Sequence, residues 1–480
     1  MHQRKSQVLR VIVLTGLIAA LAGLWPVQDS LGQPDDRSSA TANRLGGVPV
    51  YRPDHDAGPM AIHAIRSCFE AMGSGYTYAN LAGVSGAAFK FVYDTTEAYE
   101  PLRDLFPVDV LQTAAEQMGF EEARWLTKRS SEYVMSVIKR EIDAGRPLIA
   151  PDLRAGEYSG LCVIVGYDLG TGYVLIQGAF RSAGYDSVPL GDAWEGPTAS
   201  PAGWADNPVF VLGRSRIGKG EARAGRHKPA LAAAIDIMKG GRLEYGKHPG
   251  EAAYMREPGP HTAGYGLEGF DLLSRDIADR PLVAERDGEP HLDSGFLWRI
   301  DSQVGQLQHD RSEAYTFLRQ LRSNVQPEYY LLVEELYMGI QKTSSDAMNL
   351  RRIFWEPVPA DVATADQALA YARQSPYMII DITARQGFAE ELKSRGEPVF
   401  ETPWGWVLVD DTPEKRMGAR LLVRALVSRE RHSIRLLEEL LPAVDTRVER
   451  ERPEGQERQE RQERTRRSIQ GLNEEESQTE

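Results

Sequence analysis

Cysteine is nearly absent: 480 residues contain two, Cys68 and Cys162. Two thiols cannot build a disulfide scaffold or a four-cysteine zinc site. Positive charge is also short, with 56 Lys and Arg against 69 Asp and Glu and a net charge of −13. That balance excludes the basic stripe of a nucleic-acid surface, so no nucleic-acid partner is expected. Beyond residue 25 no apolar run approaches the ~18 residues of a membrane-spanning helix. Histidine is missing where it matters: of the nine, none lies between positions 64 and 226. The motifs of common hydrolases and nucleotide binders are absent too. There is no H-E-x-x-H pair, residues 213–220 (GRSRIGKG) lack the Lys-Ser/Thr of a phosphate loop, and Gly83-Val84-Ser85-Gly86 is followed by Ala87 instead of completing G-x-S-x-G. No metal and no cofactor are expected.

What is present begins with an export signal. Arg4, Lys5 and Arg10 precede the uncharged apolar run 11–25. The run is shorter than the ~20 residues of a spanning helix and suits the apolar core of a signal peptide. Ala20-Leu21-Ala22 and Ser30-Leu31-Gly32 are candidate cleavage sites, giving a signal peptide over 1–32. Left uncleaved, the run would anchor the chain and be its one membrane contact. Either way the remainder is exported, to a periplasmic or extracellular compartment that permits a disulfide.

Residues 33–48 are polar and read as a linker. Residues 49–213 read as helices over 57–72, 108–118 and 130–144, followed by short apolar strands over 147–150, 161–167, 173–176 and 209–212. Gly170-Thr171-Gly172 suits a hairpin turn, and Asp109 and Ser130 suit helix N-caps. Helices first and an antiparallel sheet after them make an α+β layout. The basic, Gly-rich stretch 214–228 reads as a second linker, and 229–357 as a helical domain with long loops. Residues 358–446 read as a small α/β element with a terminal helix. The tail 447–480 lacks apolar periodicity and reads as disordered or a solvated, charge-stitched helix.

Three stretches of the first globular segment carry a family resemblance. They are Ala57-Gly58-Pro59-Met60-Ala61-Ile62; then Tyr78-Ala79-Asn80-Leu81 with Gly83-Val84-Ser85-Gly86-Ala87-Ala88-Phe89; then Gly145-Arg146-Pro147-Leu148-Ile149, Val163-Ile164-Val165-Gly166-Tyr167-Asp168 and Val174-Leu175-Ile176. Their order resembles the papain-like peptidase family C39 and its C39-like relatives, nearest the N-terminal domain of butirosin biosynthesis protein H. The resemblance implies a papain-like helix packed on an antiparallel sheet. It also implies a cysteine opening the first helix, a histidine opening the strand before Gly-Tyr-Asp, an Asp or Asn on the next strand, and a glutamine about six residues before the cysteine. Carried over, those positions hold Ala57, Gly160, Gly178 (with Gln177 beside it) and Tyr51. Alanine offers no nucleophile and glycine no base, so the resemblance implies a fold without its acyl-enzyme chemistry.

Two readings remain open for the other reactive groups. Cys68 is a displaced nucleophile served by His63, or a core cysteine. Five residues apart on a helix the two point about 140° away from each other, which favours the core. A Cys68–Cys162 disulfide is conceivable. Asp54-His55-Asp56, with His63, is a metal-binding cluster or a polar loop capping a helix. Trp194, among Gly and Pro, lines a cleft or packs. The leading expectation is a non-catalytic C39-like protein that binds a peptide or small ligand in a degenerate cleft marked by Asp54, His55, Asp56, Gln177 and Trp194. The helical region or the tail would meet a protein partner. The alternative is a cysteine peptidase or acyltransferase.

Overall fold

The computed structural model describes residues 41–49, 60–95, 109–120, 122–126, 130–151, 161–178, 186–189, 209–214, 227–245, 261–286 and 288–444. The expected signal peptide, the charged tail and most of the basic linker lie outside them.

The chain is mixed α+β with antiparallel sheets. It opens with β1 (Ala42–Arg44), α1 (Met60–Ala71), α2 (Tyr78–Val84), β2 (Val92–Asp94), α3 (Val110–Gln117), β3 (Arg124–Leu126) and α4 (Ser131–Asp143). Then come β4 (Leu148–Pro151), β5 (Leu161–Asp168), β6 (Tyr173–Gly178), β7 (Asp186–Pro189) and β8 (Val209–Val211). Local chemistry sets these boundaries. Asp109 and Ser130 cap α3 and α4 by accepting from the amides of Gln112 and Tyr133. Gly172 takes a φ of 72° in the β5–β6 turn, a conformation glycine adopts without steric cost. A seven-stranded sheet runs β3-β8-β4-β5-β6-β7, with β1 on the C-terminal half of β5. β1 lies inside the stretch read as a linker. Its sequence Ala-Asn-Arg has no apolar alternation, and pairing with residues 166–168 makes the strand.

β5 is buried along most of its length, so its side chains feed two cores alternately. Leu161, Val163 and Val165 face a core shared with Ile62, Ile65 and Phe69 of α1. Cys162, Ile164 and Tyr167 face a second core shared with Val134, Ile138 and Ile142 of α4.

The second region contains α5 (His227–Lys239), β9 (Gly241–Tyr245), β10 (His261–Tyr265), α6 (Leu267–Asp279), the hairpin β11 (Val283–Arg286) and β12 (Glu289–Leu292), and the long helices α7 (Ser294–Leu321) and α8 (Tyr330–Phe354). Helices make up most of this region, and β10 pairs with β9 on one side and β2 of the first region on the other. The last region holds β13 (Glu356–Pro357), α9 (Ala365–Gln374), β14 (Ile379–Asp381), α10 (Gln386–Ser394), β15 (Val399–Thr402), β16 (Gly405–Val409) and α11 (Pro413–Leu440). Its sheet runs β13-β14-β16-β15, which is the small α/β element read from the sequence.

One core joins residues on both sides of the stretch 214–228. The core on the α1 side of the sheet continues through Leu231 of α5, Phe317 of α7, Leu336 of α8 and Leu437 of α11. Gly83 of α2 lies against the Phe317 ring so closely that a Cβ there would overlap it. Arg311 of α7 is wholly buried and bidentate to Glu430 of α11, both hydrogen bonds at 2.8 Å. Its remaining amino group donates to the Ala88 and Lys90 carbonyls at 3.0 and 3.3 Å. One side chain thus ties the segment after α2 to two helices of the second and third regions, and the described residues form one compact unit.

Candidate functional site

A base serving a nucleophile at the start of α1 must stand on the side of the sheet that α1 covers. Strand alternation decides which residues do. In the β5–β6 ladder Val163 faces Gln177 and Cys162 faces Gly178. Directly opposed residues share a face. Gln177 therefore lies on the α1 side with Val163, and Gly178 lies on the α4 side with Cys162. The first residue of β5 on the α1 side is Leu161, buried and apolar. On the α1 face β5 and β6 therefore present Leu161 and Gln177, an assignment the pairing register fixes. Ala57, Gly160, Asp54, His55, Asp56 and Trp194 lie outside the described residues.

Gln177 is a buried polar residue on this face, at 3% exposure. Its Nε2 donates to the Val48 carbonyl at 3.4 Å, a long hydrogen bond, and its Oε1 is buried with no partner. An unsatisfied buried carbonyl costs about 1–3 kcal/mol. Chemically it is an acceptor waiting for an N–H or O–H.

Neither cysteine supplies chemistry. Cys68 sits inside α1 at 0% exposure, and burial pushes its thiol far above the ordinary range. The thiolate is the nucleophile, so a thiol held protonated is inert. Cys162 is equally buried, and neither cysteine forms a disulfide. The conceivable disulfide is corrected: the two side chains belong to cores on opposite faces of the sheet.

His63 of α1 lies with its ring 4.5 Å from that of Tyr78 on α2. Tyr78 in turn meets His309 of α7 edge-on at 5.7 Å. The histidine-free span is thus approached by an imidazole from the second region, a placement no local pattern in the sequence signals. Among the described residues no group of three or more His, Cys, Asp or Glu is arranged to hold a metal ion.

The other side of the sheet is polar only at its rim, and there every group is engaged. Asp143 at the end of α4 accepts from Asn43 of β1 and from the Tyr167 hydroxyl, both at 2.8 Å, and from Lys139 at 2.5 Å. Burial pushes Asp143 up, but these three donors outweigh it and hold the carboxyl below its usual range. Glu141 behaves alike: burial raises it, and Arg146 and Arg140 lower it further than burial raises it.

No protein-family model matches the chain, and no curated protein matches it.

Proposed function

We propose that this is an exported, non-catalytic binding protein, with a C39-like, papain-type module whose cleft on the α1 side of the sheet receives a peptide or small ligand. The observation that carries the reading is Leu161: an apolar side chain stands on the α1 face where acyl-transfer chemistry needs a base. Two facts support it. The thiol of α1 is sealed and protonated, and Gln177 keeps a buried acceptor without a partner on the same face. A ligand donor would satisfy that carbonyl and remove its desolvation cost. Export rests on the charge and length of the N-terminal run. Among the described residues no helix is long and apolar enough to cross a membrane.

The test is turnover. Purified protein should hydrolyse peptide, ester and thioester substrates no faster than buffer, and Cys68→Ala should change nothing. Turnover abolished by Cys68→Ala would overturn the proposal in favour of a cysteine peptidase or acyltransferase.

A further inference from the structure

Away from this sheet, α6 and α11 pack side by side and leave a cavity of about 670 Å³ between them, which Lys239 of α5 also lines. Leu267, Val427 and Ile434 contribute its apolar floor. Arg424, Arg431 and Arg435 stand along its rim, exposed to solvent. Their spacing of seven and then four residues places them in one row on α11, because a helix repeats about every 3.6 residues.

The row differs from the other arginines of the same helix. Arg416 pairs with Asp411, and Arg429 pairs with Asp346 at 2.6 Å. Lys239 is 2.9 Å from Glu438. Arg424, Arg431 and Arg435 make no ion pair with a described residue, and Asp271 of α6 is the single carboxylate lining the cavity. Guanidinium groups gathered without counter-charge repel one another. In a chain of net charge −13, carboxylates to neutralise them are plentiful elsewhere on the surface, yet the groove holds one.

We propose that this groove binds an acidic peptide segment of a partner protein, its carboxylates on Arg424, Arg431 and Arg435 and an apolar side chain on the Leu267–Val427 floor. A row of planar forks along a trench matches carboxylates spaced along a chain. A membrane is the poorer match, since a flat anionic surface reaches convex basic patches and not the inside of a groove. Nucleic acid is disfavoured by the charge of the whole molecule. The site shares no residue with the α1-side cleft, so the two proposals stand or fall separately.

The experiment is fluorescence anisotropy on the full chain. The probe is a labelled helical peptide of about 12 residues built from Glu and Leu at i, i+4 and i+7 spacing. Expected results are saturable binding that weakens with salt, at least a tenfold loss in Arg431→Glu/Arg435→Glu, and tighter binding in Asp271→Lys. The gain in Asp271→Lys cannot come from misfolding. Gln177→Leu should leave this binding unchanged. The proposal is overturned by absence of binding, or by equal binding in the Arg431→Glu/Arg435→Glu protein. It is also overturned if phosphatidylglycerol vesicles bind where the peptide does not, or if binding appears only after removal of the chain's own acidic residues 472–480.

Discussion

The two sides of the seven-stranded sheet are built from the same alternation and treat their polar groups in opposite ways. On the α4 side an amide, a hydroxyl and an ammonium converge on the Asp143 carboxylate, and each is satisfied. On the α1 side one amide is buried and half of it is unsatisfied. The α4 side finishes within its own region. The α1 side is completed by helices from the rest of the chain, through Phe317 and the Arg311 clamp. Paired polar groups serve stability, whereas a buried unpaired one costs it.

The strongest way to break this contrast is at the clamp. Arg311→Leu leaves Glu430 buried without its partner and should cost about 3–5 kcal/mol in urea denaturation. Adding Glu430→Leu should recover most of the loss, since removing both charges removes the uncompensated one. If the single variant proves as stable as the parent, the clamp does not hold the α1 side together. Next in size is Gly83→Ala, whose methyl enters the space of the Phe317 ring. It should cost about 3 kcal/mol, and pairing it with Phe317→Leu should recover part of that in the same assay.

The α4 side is probed by acid. A carboxyl held below its ordinary pKa adds stability above that ordinary value and loses it as pH falls through the folded one. Asp143 and Glu141 therefore predict a protein whose melting temperature falls below about pH 4. Asp143→Asn should cost about 2 kcal/mol at neutral pH and flatten that acid limb. An unchanged limb would show that the network does not set the acid response. The smallest effect has the reverse sign. Gln177→Leu replaces an unsatisfied amide with an apolar chain and should stabilise the protein by about 1 kcal/mol while abolishing ligand binding in the cleft. Thermal melts with and without ligand separate the two.

What the sequence revealed follows range. The caps at Asp109 and Ser130, the glycine turn at 170–172 and the α+β order are local, and residues a few positions apart decide them. β1 escaped because its edge pairing, not its composition, makes it a strand. The face that each residue of β5 and β6 takes was hidden because alternation fixes that residues take turns, while the partner strand fixes which turn is whose. His309, Arg311 and Phe317 were invisible as neighbours of the first region, since their contacts cross most of the chain. The groove arginines were visible only as residues of the terminal helix. Only the position of α6 turns that face into one wall of a trench.

Gly83 has a consequence for how the chain comes into being. The first region leaves the ribosome before Phe317 is made, so its inner helix waits with an uncovered hollow until α7 arrives. A fragment ending near residue 213 would keep that hollow open to water along with the apolar residues around it. Synthesis of the fragment alone should yield aggregate, and supplying the remainder in trans should rescue it.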